Sequence, residues 1–235
     1  MKAKLPIALL MLCACAAFAE EKEFQDPFAT EDAAAQPKIA DPLERVNRAI
    51  FHFNDKLYCW VLRPISKGYR TVAPKPVRDS VERLFDNVKY PARVVNNVLE
   101  GRLKGAGIET TRFVVNSTVG IGGLFDPATR WNLKKQPADF DQTLAIYRIP
   151  TGMYLNLPVL GPSSLRGAVG VVGDAALNPV RYLDTEWALG LAGGNIINAA
   201  SLHGAEYESL KEATLDPYVA LRSAYFENRA NAVKR

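Results

Sequence analysis

Cys15 has the setting that most directly implies chemistry. It closes Leu12-Cys13-Ala14-Cys15, behind Lys2, Lys4 and an apolar run from Leu5 to Leu12. A positive start followed by a short apolar run is the layout of an export leader. Leu12 and Ala14 fit a bacterial lipobox, in which Cys15 becomes the first mature residue and carries acyl chains. Cys13 is unusual at its position in that pattern. Ala17-Phe18-Ala19 before Glu20 fits the small-x-small cleavage of an ordinary secretory signal, so two processing routes stand. The leader is then 1–19, or 1–14 if cleavage precedes Cys15.

The remaining chemistry-bearing residues are sparse. Cys59 is the one cysteine beyond the leader, so it has no intramolecular disulfide partner. Its setting, Tyr58-Cys59-Trp60-Val61-Leu62, suits a buried hydrophobe. His52 and His203 have no carboxylate or cysteine at metal-ligand spacing. No H-E-x-x-H, C-x-x-C or G-x-S-x-G is present. Gly120-Ile121-Gly122-Gly123 lacks the trailing glycine of a dinucleotide fingerprint and the Lys-Ser/Thr of a phosphate loop, and fits a helix end better. No carboxylate pair stands in an apolar setting that would shift its titration. The expectation is a protein that is not an enzyme and has no cofactor.

At 235 residues with a net charge of +4, the chain is long enough for one domain and has no basic stripe for nucleic acid. Residues 20–40 mix Glu, Asp, Ala, Gln and Pro37 without apolar periodicity and read as a flexible tether. Residues 41–235 read as a single helical domain. Asp41-Pro42-Leu43-Glu44 opens the first helix in the manner of a capping box, and Arg63-Pro64 should stop it. Lys75-Pro76 opens a second helix that Pro91 ends. A third closes at Gly101, and a fourth runs from about Ala106 to Val119. Residues 124–136 read as a loop, and Ser163 caps the next helix. Gly167, Gly170 and Gly173 leave a small-residue face for a close neighbour. Trp187 to Ala200, with Gly190 and Gly194, is too short to span a bilayer and reads either as a core helix or as an interfacial segment. Asp216-Pro217 opens the last helix. The pattern is mainly α, with short amphipathic helices whose apolar faces suit a core or a membrane interface.

One stretch resists both readings. From Ile149 to Leu165 there is no charge, yet Pro150, Pro158, Pro162, Gly152 and Gly161 break any helix. Leu155-Asn156-Leu157 is its strand candidate, half of a small irregular hairpin. Irregular apolar backbone belongs in a globular core or in a protein wall inside a membrane.

Five blocks, in order, resemble the VacJ/MlaA family of Gram-negative outer-membrane lipoproteins. The first comprises Asp41-Pro42-Leu43-Glu44, Asn47-Arg48, Phe53-Asn54 and Arg63-Pro64. The second is Asn96 with Leu99-Glu100-Gly101. The third holds Arg112-Phe113, Asn116-Ser117-Thr118, Gly120, Gly122-Gly123 and Asp126. The fourth holds Phe140, Gln142-Thr143-Leu144, Gly152, Tyr154, Leu157-Pro158, Gly161-Pro162-Ser163 and Arg166. The fifth is Asp216-Pro217-Tyr218, Arg222, Tyr225 and Arg229. Asp141, Ala145 and Met153 depart from the family's pattern.

The resemblance implies a ring-like arrangement of short amphipathic helices in the periplasm-facing leaflet of the outer membrane. It implies retrograde phospholipid transport: misplaced lipid leaves the outer leaflet through an amphipathic channel and passes to a periplasmic carrier protein, which maintains lipid asymmetry. It also implies association with a trimeric porin. Under it, Asn47, Asn54, Asn116, Thr118, Gln142 and Thr143 are candidates for polar lining. Phe53, Tyr147, Tyr154 and Leu157 are candidates for the channel or its gate. Trp60, Trp131 and Trp187 would sit at interfaces, and Arg112 and Arg166 would meet a phosphate or a structural carboxylate. A soluble periplasmic lipid-binding or scaffold protein without a channel is the competing reading.

Overall fold

The structure, a computed structural model, describes residues 41–234. The leader, Cys15 and the tether lie outside them. The helices are α1 (Glu44–Leu57), α2 (Arg63–Val72), α3 (Lys75–Val88), α4 (Tyr90–Leu99), α5 (Leu103–Thr118), α6 (Pro127–Arg130), α7 (Phe140–Ile146), α8 (Leu165–Ala176), α9 (Thr185–Ala213) and α10 (Pro217–Val233). Strands β1 (Tyr154–Leu157) and β2 (Gly161–Ser164) form an antiparallel hairpin between α7 and α8, with Tyr154 opposite Ser164 and Leu157 opposite Gly161.

Asp-Pro opens two helices and behaves differently in each. Asp216 caps α10, accepting from the backbone N–H of Tyr218 at 3.0 Å and of Val219 at 3.2 Å. Asp41 does not cap α1. Its carboxylate accepts from Asn47 at 2.8 Å, from Arg222 at 3.1 Å and from the Tyr218 hydroxyl. Glu44 closes no capping box either; it takes Arg48 at 2.8 Å, one turn on. The expected capping box is lost because side-chain donors, among them the charged Arg222, occupy Asp41 in place of the backbone amides.

Proline sites also differ from expectation. Pro64 does not stop the first helix. A π-helical turn spans Tyr58–Leu62, with the Arg63 N–H donating to the Tyr58 carbonyl, and α2 continues with Pro64 in its first turn. The added residue of a π turn shifts the helix face by about 100°. Ser66 in α2 is buried, as Asn47 and Phe51 are in α1. Pro91 likewise stands in the first turn of α4 rather than ending α3, where its missing N–H costs nothing. Ser164, not Ser163, caps α8, accepting from Gly167 at 3.0 Å; Ser163 is in β2. The 124–136 segment contains the single turn α6, capped by Asp126. Among the described residues no helix is long and apolar enough to cross a membrane.

Element neighbours form a closed circuit. From α1 it passes to β1, β2, α8, α7, α4, α3, α9 and α2, then through the π turn back to α1. α5 flanks α4, and α10 bridges α7, β2 and α9. The small-residue face of α8 is used as expected. A Cβ at Gly170 would lie 2.8 Å from the Asp141 backbone nitrogen, and one at Gly173 would lie 2.5 Å from the Phe140 ring. Gly123, at φ +98°, lets the turn after α5 press against Asn87, which a Cβ would meet at 2.5 Å.

The interior is polar. Asn87, Asn96, Asn97, Glu109, Asp141 and Asn198 are among its fully or nearly buried side chains, whereas Phe51, Tyr154 and Tyr218 are the large apolar ones. Their rings meet edge to face at 5.9 Å. Buried polar groups are tolerated because they are bonded. Arg93 donates to Glu109 at 2.5 Å, and Glu109 accepts the Gln136 N–H at 2.6 Å.

Candidate functional site

The hairpin is latched to α1 by two asparagines seven residues apart, hence on one helix face. Asn47, 1 % exposed, donates to the Tyr154 carbonyl at 3.1 Å and accepts from the Asn156 N–H at 2.9 Å. Asn54 donates to the Leu157 carbonyl at 2.9 Å and accepts from the Val159 N–H at 2.8 Å. Asn156 returns a bond to the Asn47 carbonyl at 3.2 Å. A side-chain amide offers both a donor and an acceptor, so it can satisfy a strand edge as another strand would.

Several proposed lining residues are therefore fasteners. Asn116 donates to Asp126 at 3.0 Å and accepts from the Ala128 N–H at 3.2 Å. Gln142 bonds Asp139, the cap of α7, at 3.0 Å. Thr143 reaches Asn96 at 2.9 Å and Glu100 at 3.2 Å. Thr118 is exposed and returns its hydroxyl to the Val114 carbonyl at 2.7 Å. Tyr154 is buried in the aromatic cluster. Asn47, Asn116, Gln142, Thr143 and Tyr154 are buried, Asn116 beside a small polar pocket with Arg112 and Asp126. Phe53 and Tyr147 are exposed, Tyr147 with its hydroxyl on the Leu99 carbonyl at 3.0 Å; Leu157 is half-buried. Arg112 takes the structural carboxylate, Asp126 at 2.9 Å, and Arg166 takes Asp141 at 2.7 Å. Asp141, one of the departures, thus has a partner in α8.

A wider hollow lies elsewhere. A cavity of ≈ 460 Å³ opens between α3, α9 and the α5–α6 region. α3 contributes Glu82, Arg83, Phe85 and Asp86, with Lys89 just past its end. α9 contributes Asn195, Asn198 and Ala199. Arg112, Asp126, Thr129 and Lys135 form the facing wall. Burial alone would raise the Asp126 pKa. Bonds from Thr129, Arg112 and Asn116 outweigh that and hold it down to about 2. Lys135 pairs with Asp86 at 2.6 Å. Glu82 meets His203 at 2.8 Å, a bond that raises the imidazole pKa. Asn198 is spent on the Arg78 carbonyl at 3.0 Å and the Tyr69 hydroxyl at 3.2 Å.

Of this wall, the sequence offered only Arg112 as a candidate to meet a phosphate, with Asp126 present as a member of the third block. Glu82, Arg83, Asp86 and Lys89 do fall on one side of α3, at steps of one, three and three residues. Read as a solvated face, that stripe is unremarked. In a chain that faces its apolar side outward, the same stripe marks the inside.

The outer surface completes the inversion. Trp60 is 74 % exposed, Trp131 58 % and Trp187 71 %. Leu189, Leu191 and Ile196 extend the apolar surface along the first half of α9. Cβ atoms at Gly190 and Gly194 would meet nothing within 4 Å, so that side of the helix is open. The exposure of Trp187, Leu189 and Leu191 does not suit a core helix, whereas Asn198 near the end of the segment is buried.

The MlaA lipoprotein family model matches residues 39–232. The chain is 32 % identical over 195 residues to the intermembrane phospholipid transport system lipoprotein MlaA of Escherichia coli K12, covering 80 % of this chain and 76 % of that protein. It is 31 % identical over 193 residues to the protein of the same name from Haemophilus influenzae, covering 80 % and 77 %. A solved chain from work on the structural basis for maintenance of bacterial outer membrane lipid asymmetry superposes with TM-score 0.73 at 30 % identity. That match covers 83 % of this chain and 99 % of the solved one.

Proposed function

The chain belongs to the MlaA lipoprotein family, and we propose that it is the outer-membrane component of a retrograde phospholipid transport system. It lies in the periplasm-facing leaflet, takes phospholipid misplaced in the outer leaflet through an internal passage, and hands it to a periplasmic carrier protein. A trimeric porin holds it in place. The observation that carries this reading is the inverted polarity: bonded amides and charges inside, tryptophans and aliphatic side chains outside. Water would penalise that apolar surface at roughly 25 cal/mol per Å², whereas acyl chains do not. Large exposed apolar areas rimmed by polar residues mark membrane or partner contacts. The names of the relatives support the lipid as cargo.

The work done is movement without covalent change. The cavity offers a headgroup polar partners that replace water, while acyl chains stay among the outward apolar side chains. Direction comes from an energised step downstream. Acylation of Cys15 adds an anchor to this surface.

A strain lacking the protein is expected to accumulate outer-leaflet phospholipid and to become detergent-sensitive. Leu157→Asp, on the half-buried hairpin edge, is expected to reproduce that defect while the purified variant keeps its helical circular dichroism. Unchanged leaflet composition in the deletion strain overturns the reading. Recovery of both wild type and Cys15→Ala in the soluble fraction favours a soluble periplasmic lipid binder.

A further inference from the structure

The charges of the cavity do not cancel. Each of its carboxylates has a partner: Asp126 has Arg112, Asp86 has Lys135, and Glu82 has His203, which is a cation when protonated. With His203 protonated, two cations of the lining, Arg83 and Lys89, are left over. Arg83 donates only to neutral oxygens, the Leu124 carbonyl and the Ser80 hydroxyl, both at 3.1 Å. These two bonds fix the plane of the guanidinium and leave three of its five N–H groups unused. Lys89, exposed at the end of α3, has no side-chain bond or ion pair among the described residues. Across the cavity Asn195, half-buried on α9, has an equally unused amide.

We infer that Arg83, Lys89 and Asn195 form a station for the phosphate of a lipid headgroup, and that the station selects net-anionic headgroups over zwitterionic ones. The inference rests on the lipid-passage reading above. A phosphodiester presents two free oxygens and one negative charge. A held guanidinium offers paired donors to such a group, an ammonium adds a point charge, and an amide completes the ring of donors. Two cations against one phosphate leave a positive excess. The ammonium of a zwitterionic headgroup would meet that excess and find each carboxylate already bonded, Glu82 by a protonated His203. A headgroup of hydroxyls alone meets no such repulsion. The pairs Arg112–Asp126 and Lys135–Asp86 hold the walls and are not themselves the station.

The test uses the full-length mature protein in non-ionic micelles. Binding of dihexanoyl phosphatidylglycerol, dihexanoyl phosphatidylethanolamine, dihexanoylglycerol and inorganic phosphate is measured by calorimetry. Phosphatidylglycerol is expected to bind best. Arg83→Gln with Lys89→Gln is expected to weaken it about tenfold, the loss of one charge-assisted contact or more, and to leave dihexanoylglycerol unchanged. Lys89→Gln alone removes no bond of the fold and is expected to lose about threefold, which separates binding from misfolding. Equal affinity for the two phospholipids, or no loss in either variant, overturns the station while leaving the passage intact. Inorganic phosphate binding that phosphatidylglycerol fails to displace makes it a free-anion site and overturns it as well. If wild type binds none of the lipids, the passage itself falls.

Discussion

Asn47 has both polar atoms of its side chain committed to the hairpin and to Asp41. Asn47→Ala leaves the Tyr154 carbonyl and the Asn156 N–H buried without partners. Each orphan costs about 1–3 kcal/mol, so a loss of about 2–4 kcal/mol is expected in detergent unfolding experiments. Asn54→Ala, at a half-buried site, should cost less. Asp126 makes a pH-dependent contribution. Its folded pKa of about 2 lies below the ordinary 3.8, so its stabilisation is complete above the ordinary value and is lost as pH falls toward the folded one. Thermal midpoints of wild type and Asp126→Asn, measured from pH 5 to pH 2, should therefore converge on the acid side. The residue types at this scale were legible, but their roles were not. Asparagines at helical spacing read equally as a lining or as a latch. Only Tyr154 and Asn156, about a hundred positions on, decide between them.

Helices were legible wherever a stop signal needed no tertiary context. The glycines after α5 and Asp216-Pro217 before α10 fall as expected. Prolines misled at Pro64 and Pro91, because a first-turn proline and a helix breaker have the same sequence. The π turn that precedes Pro64 has no local signature. Between α7 and α8 the glycine spacing did predict a close approach. Gly170→Val puts a side chain against the Asp141 backbone and should cost about 2 kcal/mol or more. Gly190→Ala, with open space around it, should stabilise α9 by up to about 1 kcal/mol. The pair, compared by chemical unfolding, separates packed glycines from merely tolerated ones.

The molecule as a whole turns its apolar faces outward, and sequence periodicity gave those faces without saying which way they point. Trp187→Glu with Leu189→Glu on the open half of α9 should reduce binding to phospholipid vesicles several-fold and leave the thermal midpoint in micelles unchanged, because neither side chain is part of the interior. A matching fall in the midpoint would return that helix to the core. The first described residues and the last helix also share one knot of bonds: Asp41 holds Tyr218 and Arg222, and Arg48 reaches Asp216 at 2.8 Å. Partners some 170 positions apart have a timing consequence. During synthesis and export the segment around Asp41 emerges with nothing to clasp until Pro217 and the residues after it have followed. The circuit cannot lock early, so the chain stays threadable until its tail arrives, and a truncation before Pro217 should leave it permanently ajar.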